Sequence, residues 1–155
     1  MAFVPDHAVL LDRLDEALCL AAEPSSHLFA KIIAGACMRV PVLARSGHGK
    51  RMDRLVESGA WADAALALID LELPGWRLRR VICEDDSWFC SLSRQSHLPV
   101  ALDDTADGSH HIMPLAILRA FLQARRMAVA ESRPAASVPV IEPAEMQIIC
   151  CENFA

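Results

Sequence analysis

Residues 76–94 read WRLRRVICEDDSWFCSLSR, and this stretch decides the fold class of the chain. Its two halves are rich in Trp, Val, Ile and Phe, which favour β-strands, and an acidic tip at residues 84–86 separates them. The pattern predicts a β-hairpin. If the apolar side chains of both strands share one face, Ile82 must oppose Cys90, because directly opposed residues point the same way. This register predicts an odd-length loop at residues 85–87.

The same register assigns the aromatic side chains of the second strand to opposite faces. Trp88, Cys90 and Leu92 alternate on the inner face, and Phe89 lies on the outer face. Trp88 is therefore the predicted core anchor of the hairpin. Its replacement by Ala is expected to cost about 3–5 kcal/mol, and Phe89→Ala is expected to cost clearly less.

Apolar periodicity and helix caps predict a mostly helical chain around this hairpin. Helices are expected at residues 6–22, 27–38, 51–57, 61–71 and 114–127. A short third strand is expected at residues 98–103, where Pro99 confines it to a sheet edge. These elements indicate an α+β fold, predominantly helical, with a small antiparallel β-hairpin or three-stranded sheet covered by helices.

The composition changes after residue 128. Residues 129–155 contain three prolines and show no clear apolar period. We therefore expect a single α+β domain over residues 1–128 and a flexible, proline-containing C-terminal tail over residues 129–155. Truncation after Met127 is expected to move the thermal midpoint by only a few degrees.

Charge and cysteine content limit the functional classes. The net charge of −5 argues against a general binder of nucleic acids or anionic membranes. The sequence predicts neither a signal peptide nor a membrane span. Its six cysteines lack regular spacing, which favours free thiols in the cytoplasm, and the excess of arginine over lysine, 13 to 2, is typical of a GC-rich bacterial genome.

The hydrophobic share of the chain predicts self-association. Hydrophobic residues make up 54% of the sequence, while aromatic residues make up only 5%. We expect some apolar surface of the first two helices to remain uncovered and to contact a second copy or another protein.

A cluster of arginines in the hairpin is the candidate binding site for an anion or a partner. It consists of Arg77, Arg79, Arg80 and Arg94. In the predicted register Arg77 and Arg79 share the outer face with Ser91 and Ser93, and Arg80 falls on the inner face. Arginine forms two-point hydrogen bonds with phosphate and carboxylate groups. The alternative, which is more frequent, is a solvated charged face that prevents edge-to-edge strand pairing.

Two further groups of polar residues have weaker patterns. The residues that could suggest a metal are Cys83, Cys90, His97, His110 and His111. Their spacing matches no zinc finger or ribbon, and the predicted register sends Cys83 and Cys90 to opposite faces, so no metal or cofactor is predicted. The residues that could form an acid/base cluster are Asp103, Asp104, Asp107, His110 and His111. Without a nucleophile placed beside them, a hydrophilic loop is the favoured interpretation.

The glycine-rich stretch at residues 46–50 does not form a phosphate-binding loop. Such a loop would need glycine at Ala44 and a hydroxyl residue at Arg51. The stretch is predicted to be a mobile linker, and the less frequent alternative is an anion-binding nest of backbone N–H groups.

Three functional hypotheses remain from the sequence. The first is a small cytoplasmic interaction or regulatory protein without catalysis, with a protein partner or a second copy of the chain. The second is a nucleic-acid- or anion-binding module that uses the hairpin arginines. The third is a small enzyme that uses the Asp/His loop.

Overall fold

The computed structural model describes residues 6–132 of the 155-residue chain. This part contains six α-helices: α1 (His7–Leu20), α2 (Ser26–Ala36), α3 (Arg39–Leu43), α4 (Gly47–Glu57), α5 (Trp61–Glu72) and α6 (Met113–Ser132). It also contains three strands, β1 (Arg77–Glu84), β2 (Ser87–Ser93) and β3 (Ala106–His110), and a short 3₁₀ helix at Val100–Leu102. The architecture confirms the predicted α+β class. No helix in this part is long and apolar enough to cross a membrane.

The three strands form one antiparallel sheet in the order β1-β2-β3, and α6 packs on one of its faces. We call this the inner face. The backbones of α6 and β3 approach each other closely at Gly108. An added Cβ there would lie 2.3 Å from the backbone nitrogen of Ala120 and 2.5 Å from the carbonyl oxygen of Ala116. Only glycine allows the helix backbone to lie this close to β3.

The hydrophobic core lies between α6, the inner face of the sheet and helices α1, α2 and α5. Its largest fully buried side chains include Phe29, Leu68, Leu92 and Phe121. Phe29 of α2 also stacks on Trp61 of α5, with ring centroids 5.6 Å apart. Half-buried Trp88 packs against this core, whereas Phe89 is exposed on the opposite face. The predicted facing of the two aromatic residues is confirmed, although Trp88 is less buried than expected.

A buried carboxylate organises the junction of α3, α5 and α6. The carboxylate of Glu72, at the end of α5, accepts hydrogen bonds from the backbone N–H groups of Met38 (2.8 Å), Arg39 (2.8 Å) and Val40 (3.2 Å). The guanidinium of Arg125, in α6, lies 3.5 Å from the same carboxylate. Glu72 therefore satisfies the free backbone donors at the start of the short helix α3.

The predicted register of the hairpin is wrong by one residue. Ile82 pairs with Phe89, and Cys90 pairs instead with Val81. The turn is a two-residue turn at Asp85 and Asp86, which both have positive φ, +48° and +58°. Aspartate tolerates this conformation, and such turns match the twist of paired strands better than the predicted odd-length loop.

A β-bulge hides this register from the apolar pattern. The pairing moves from Leu78 opposite Leu92 to Arg80 opposite Ser91, so Arg79 is the extra residue. A bulge shifts the alternation of one strand only. The faces of β2 are therefore as predicted, while the side chains of β1 before and after the bulge follow different alternations.

The glycine-rich stretch is ordered as the start of α4, which corrects the predicted linker. The hydroxyl of Ser46 accepts a hydrogen bond from the backbone N–H of Gly49 at 3.3 Å and caps the helix. An added Cβ at Gly49 would lie 2.4 Å from the carbonyl oxygen of Leu43, so this glycine lets α3 and α4 approach each other. Asp6 and Ser25 cap α1 and α2 in the predicted way.

Two boundaries near the C-terminal end also differ from prediction. The expected strand at residues 98–103 contains the 3₁₀ helix, and the third strand is instead β3 at Ala106–His110. Helix α6 continues past Met127 to Ser132, so residues 129–132 belong to a helix and not to a tail. The rest of the predicted tail, residues 133–155, lies outside the described residues.

Candidate functional site

The outer face of the sheet, opposite α6, carries a groove with a volume of about 420 Å³. Side chains alternate between the two faces along each strand. Cys90 and Leu92 of β2 and Ala106 of β3 face α6, so the residues that alternate with them point away from α6 and form the outer face. The segment with the 3₁₀ helix borders the groove through Val100. The groove is therefore the concave surface on the side of the sheet that α6 leaves uncovered.

Two rows of side chains cross this face from strand to strand. The first row is Ile82, Phe89 and Ser109, and the second is Arg80, Ser91 and Asp107. Phe89 keeps 40% of its surface exposed. The outer face thus combines an apolar row with a row of polar and charged groups.

The polar row is held by hydrogen bonds to Asp107. The hydroxyl of Ser91 donates to one carboxylate oxygen at 2.5 Å, and the hydroxyl of Thr105 donates to the other at 3.0 Å. These bonds satisfy Asp107 from within the sheet. At the opposite end of the row, exposed Arg80 forms no ion pair with any residue in the range 6–132. Arg80 therefore supplies a positive charge at one end of the row that is not held in an ion pair within the described residues, and the Asp107 carboxylate, bonded to neutral hydroxyls, lies at the other end.

Arg79 lines the same groove, but its guanidinium is already bonded to other groups of the protein. Its guanidinium pairs with the nearly buried carboxylate of Asp103 and donates to the carbonyl oxygen of Leu98 at 2.8 Å. The hydroxyl of Ser93 also donates to Asp103, at 2.6 Å. The bulge thus directs the side chain of Arg79 toward the segment that connects β2 to β3. The contacts of Arg79 with Leu98 and Asp103 hold that segment at the border of the outer face.

The other two predicted arginines do not line the groove. Arg77 forms an exposed ion pair with Asp70 at 3.5 Å. Arg94 binds the carboxylate of Glu131 through both terminal nitrogens, and its guanidinium lies 5.1 Å from the ring centre of Trp76. The hydrogen bond to Glu131 raises the pKa of Arg94 and lowers that of Glu131. The fold therefore separates the four arginines and brings only Arg79 and Arg80 to one site.

Arg119 of α6 also lines the groove, although it is not among the predicted site residues. Its Nε donates to a carboxylate oxygen of Asp15 at 2.9 Å, and its Nη1 donates to the carbonyl oxygen of Ser109 at 2.6 Å. The bond to Asp15 raises the pKa of Arg119. Arg119 therefore ties α1, α6 and β3 together at one wall of the groove. The helical periodicity of α6 could not predict this role of Arg119, because Asp15 lies in α1 and Ser109 in β3.

The residues of the Asp/His loop do not converge. Asp103 and Asp107 are bonded on the outer face, whereas His110 is 7% exposed and opposes Trp88 on the inner face. The backbone N–H of Ile112 donates to Nδ1 of His110 at 3.0 Å. Burial lowers the pKa of His110, and the neighbouring His111 and Arg119 lower it further. The arrangement does not assemble a carboxylate–imidazole pair.

The cysteines of the hairpin also differ from expectation. In the observed register Cys83 opposes Trp88, so it shares the alternation of Cys90 instead of pointing to the opposite face. Cys90 is buried, and burial raises the pKa of its thiol to about 12. Within residues 6–132, no three His, Cys, Asp or Glu side chains lie close enough together to hold a metal ion.

Comparisons with known proteins give no match. No family model matches the chain, and neither a curated protein nor a solved structure matches it. What the outer face can bind is therefore inferred from its own shape and charge.

Proposed function

We propose that the protein is a non-catalytic interaction protein that binds a partner on the outer face of its sheet. The observation that carries this proposal is the exposure of Phe89 in the groove, in the row next to that of Arg80. Exposed aromatic and arginine side chains in a concave surface are typical anchors of protein interfaces. Val100, which is 67% exposed, extends the apolar surface of the groove.

The chemistry of the groove favours binding over catalysis. Its hydroxyl groups include those of Ser91 and Ser109, and the groove-lining residues include no imidazole. The proton of Ser91 is directed to Asp107, which already accepts a second hydrogen bond. A nucleophile with an oriented base is therefore not assembled among these side chains.

The charges favour a protein partner over a nucleic acid. Of the four hairpin arginines, three are paired with carboxylates and Arg80 alone is unpaired within the described range. One arginine in a chain of net charge −5 provides little of the phosphate neutralisation that nucleic-acid binding requires. Cys19, Cys37, Cys83 and Cys90 are free thiols, which supports a reducing compartment such as the cytoplasm.

A photo-crosslinking experiment tests the proposal. Phe89 is replaced by p-benzoylphenylalanine, which keeps an aromatic ring at the groove, and the protein is irradiated in the cells that produce it. The control carries the same probe at Val42 of α3, which is 81% exposed and lies outside the groove and outside the first two helices. We expect a discrete adduct with another protein from position 89 only, and its loss in Arg80→Glu.

The same experiment contains its refutation. If positions 89 and 42 give the same adducts, or if position 89 captures no other protein, the outer face is not a partner site. If the purified protein binds generic RNA or DNA with a steep salt dependence that Arg80→Glu removes, the nucleic-acid hypothesis replaces this proposal.

A further inference from the structure

The end of α6 brings the rest of the chain to the border of the outer face. Glu131, in the last turn of α6, is bound by Arg94, the residue that directly follows β2. Arg94 lines a small cleft of about 50 Å³ together with Leu102 and Asp103. Asp103 in turn binds Arg79, which lines the groove. Residues 133–155 therefore begin next to a continuous path of side chains that leads to the groove.

The composition of residues 133–155 complements this face. After Arg133 the segment contains no lysine or arginine, and it contains three glutamates, Glu142, Glu145 and Glu152. Its β-branched residues include Val138, Val140, Ile141, Ile148 and Ile149. An acidic, apolar segment matches a surface that offers an exposed phenylalanine and an arginine with no ion-pair partner among residues 6–132.

The length of the segment is sufficient to cover the face. Its 23 residues span up to about 75 Å when extended. The longest strand, β1, has eight residues and is about 26 Å long, and three strands cover about 10 Å across the sheet. No point of the outer face is out of reach.

We propose that residues 133–155 dock on the outer face of the sheet of their own chain. In this arrangement apolar residues of the segment cover Phe89 and Val100, and Glu142 or Glu145 binds Arg80. This inference rests on the proposed function, because both use the outer face of the sheet. It adds that binding of the partner is regulated by the chain's own C-terminal segment. The segment competes with the partner, so a partner must displace it, and effective concentration favours the tethered segment.

The test uses the purified full chain with p-benzoylphenylalanine at position 89. We expect an adduct within one chain, mapped by mass spectrometry to residues 133–155, with a yield independent of protein concentration. Arg80→Glu is expected to lower this yield by about fivefold, because an exposed ion pair is lost and like charges are introduced. Replacement of both Glu142 and Glu145 by Arg in the Arg80→Glu chain is expected to restore it.

Three controls make the outcome decisive. Arg51→Glu changes an exposed arginine of α4 and is expected to leave the yield unchanged. The probe at Val42 is expected to give no adduct with residues 133–155. The thermal midpoint of Arg80→Glu checks its fold, which is expected to persist because Arg80 has no ion-pair partner within residues 6–132.

Several results would overturn the inference. One is the absence of an adduct with residues 133–155, and another is an adduct that Arg80→Glu leaves unchanged. Adducts between isotopically labelled and unlabelled copies would assign the face to a second copy instead. A partner captured in cells without any internal adduct would overturn this inference alone, and an internal adduct without a partner would overturn the proposed function alone.

Discussion

Gly108 holds the contact between α6 and β3, so Gly108→Ala is expected to separate the two layers of the fold. The added methyl group would lie 2.3 Å from the nitrogen of Ala120, 2.5 Å from the oxygen of Ala116 and 2.9 Å from the carbonyl carbon of Arg119. All three are backbone atoms, which cannot rotate away as a side chain can. The helix would have to recede by about 1 Å to restore ordinary van der Waals separations.

The cost of this displacement follows from the packing. Overpacking a core costs about 1–3 kcal/mol, and we expect a value near 3 kcal/mol because backbone must move. A gap of about 1 Å also removes a quarter to a half of the dispersion energy of the separated contacts. At roughly 2–4 °C per kcal/mol for a chain of 155 residues, the thermal midpoint should fall by about 6–12 °C.

Urea unfolding followed by tryptophan fluorescence measures the change in free energy, and calorimetry measures the midpoint. The matched control is Gly47→Ala at the start of α4, where an added Cβ meets nothing within 4 Å. That control should stabilise the protein by up to about 1 kcal/mol. A Gly108→Ala chain within about 1 kcal/mol of the parent, a typical scale for a tolerated core change, would refute the close packing of α6 on β3.

The remaining predictions concern buried polar groups and thiols. Glu72→Ala should destabilise the protein by about 3–5 kcal/mol in urea unfolding, because Arg125 and three backbone donors lose their carboxylate; an effect below 1 kcal/mol would contradict this role. The pKa of His110 is lower in the folded chain than its ordinary value of about 6.5, so the unfolded chain binds a proton more readily. The free energy of unfolding should therefore decrease as the pH falls below about 6.5. Urea titrations at several pH values measure this dependence, and His110→Asn should weaken it. Burial raises the pKa of the Cys37 and Cys90 thiols to about 12, so at pH 8 iodoacetamide should modify neither in the folded protein, and rapid labelling of either would show that its burial is incomplete.

The candidate site could be predicted only in part. The hairpin sequence groups Arg79 and Arg80 in one candidate site, and both line the groove. The predicted inner-face position of Arg80 is wrong, because the bulge moves Arg80 opposite Ser91 on the outer face. The sequence does not reveal that Asp103 neutralises Arg79 or that Arg119 closes the groove. Each of these contacts joins elements that are far apart in the chain, and composition carries no record of such pairings.

Helix starts and the hairpin follow from short stretches of the amino-acid sequence. Asp6 and Ser25 mark helix starts because their side chains satisfy backbone N–H groups a few residues away. The strand-forming residues around the acidic tip specify a hairpin, because strand preference and turn conformation are properties of neighbouring residues.

The strand register, the position of the third strand and the composition of the groove depend on contacts between distant parts of the chain. The bulge at Arg79 moves the pairing by one residue, and Arg79 there binds Asp103 and the carbonyl oxygen of Leu98, which the alternation of β1 does not reveal. The polar sequence of β3 is a strand because β2 supplies its hydrogen bonds and Gly108 admits α6. These interactions form only when segments that are distant in sequence come together, so a local sequence pattern does not predict them.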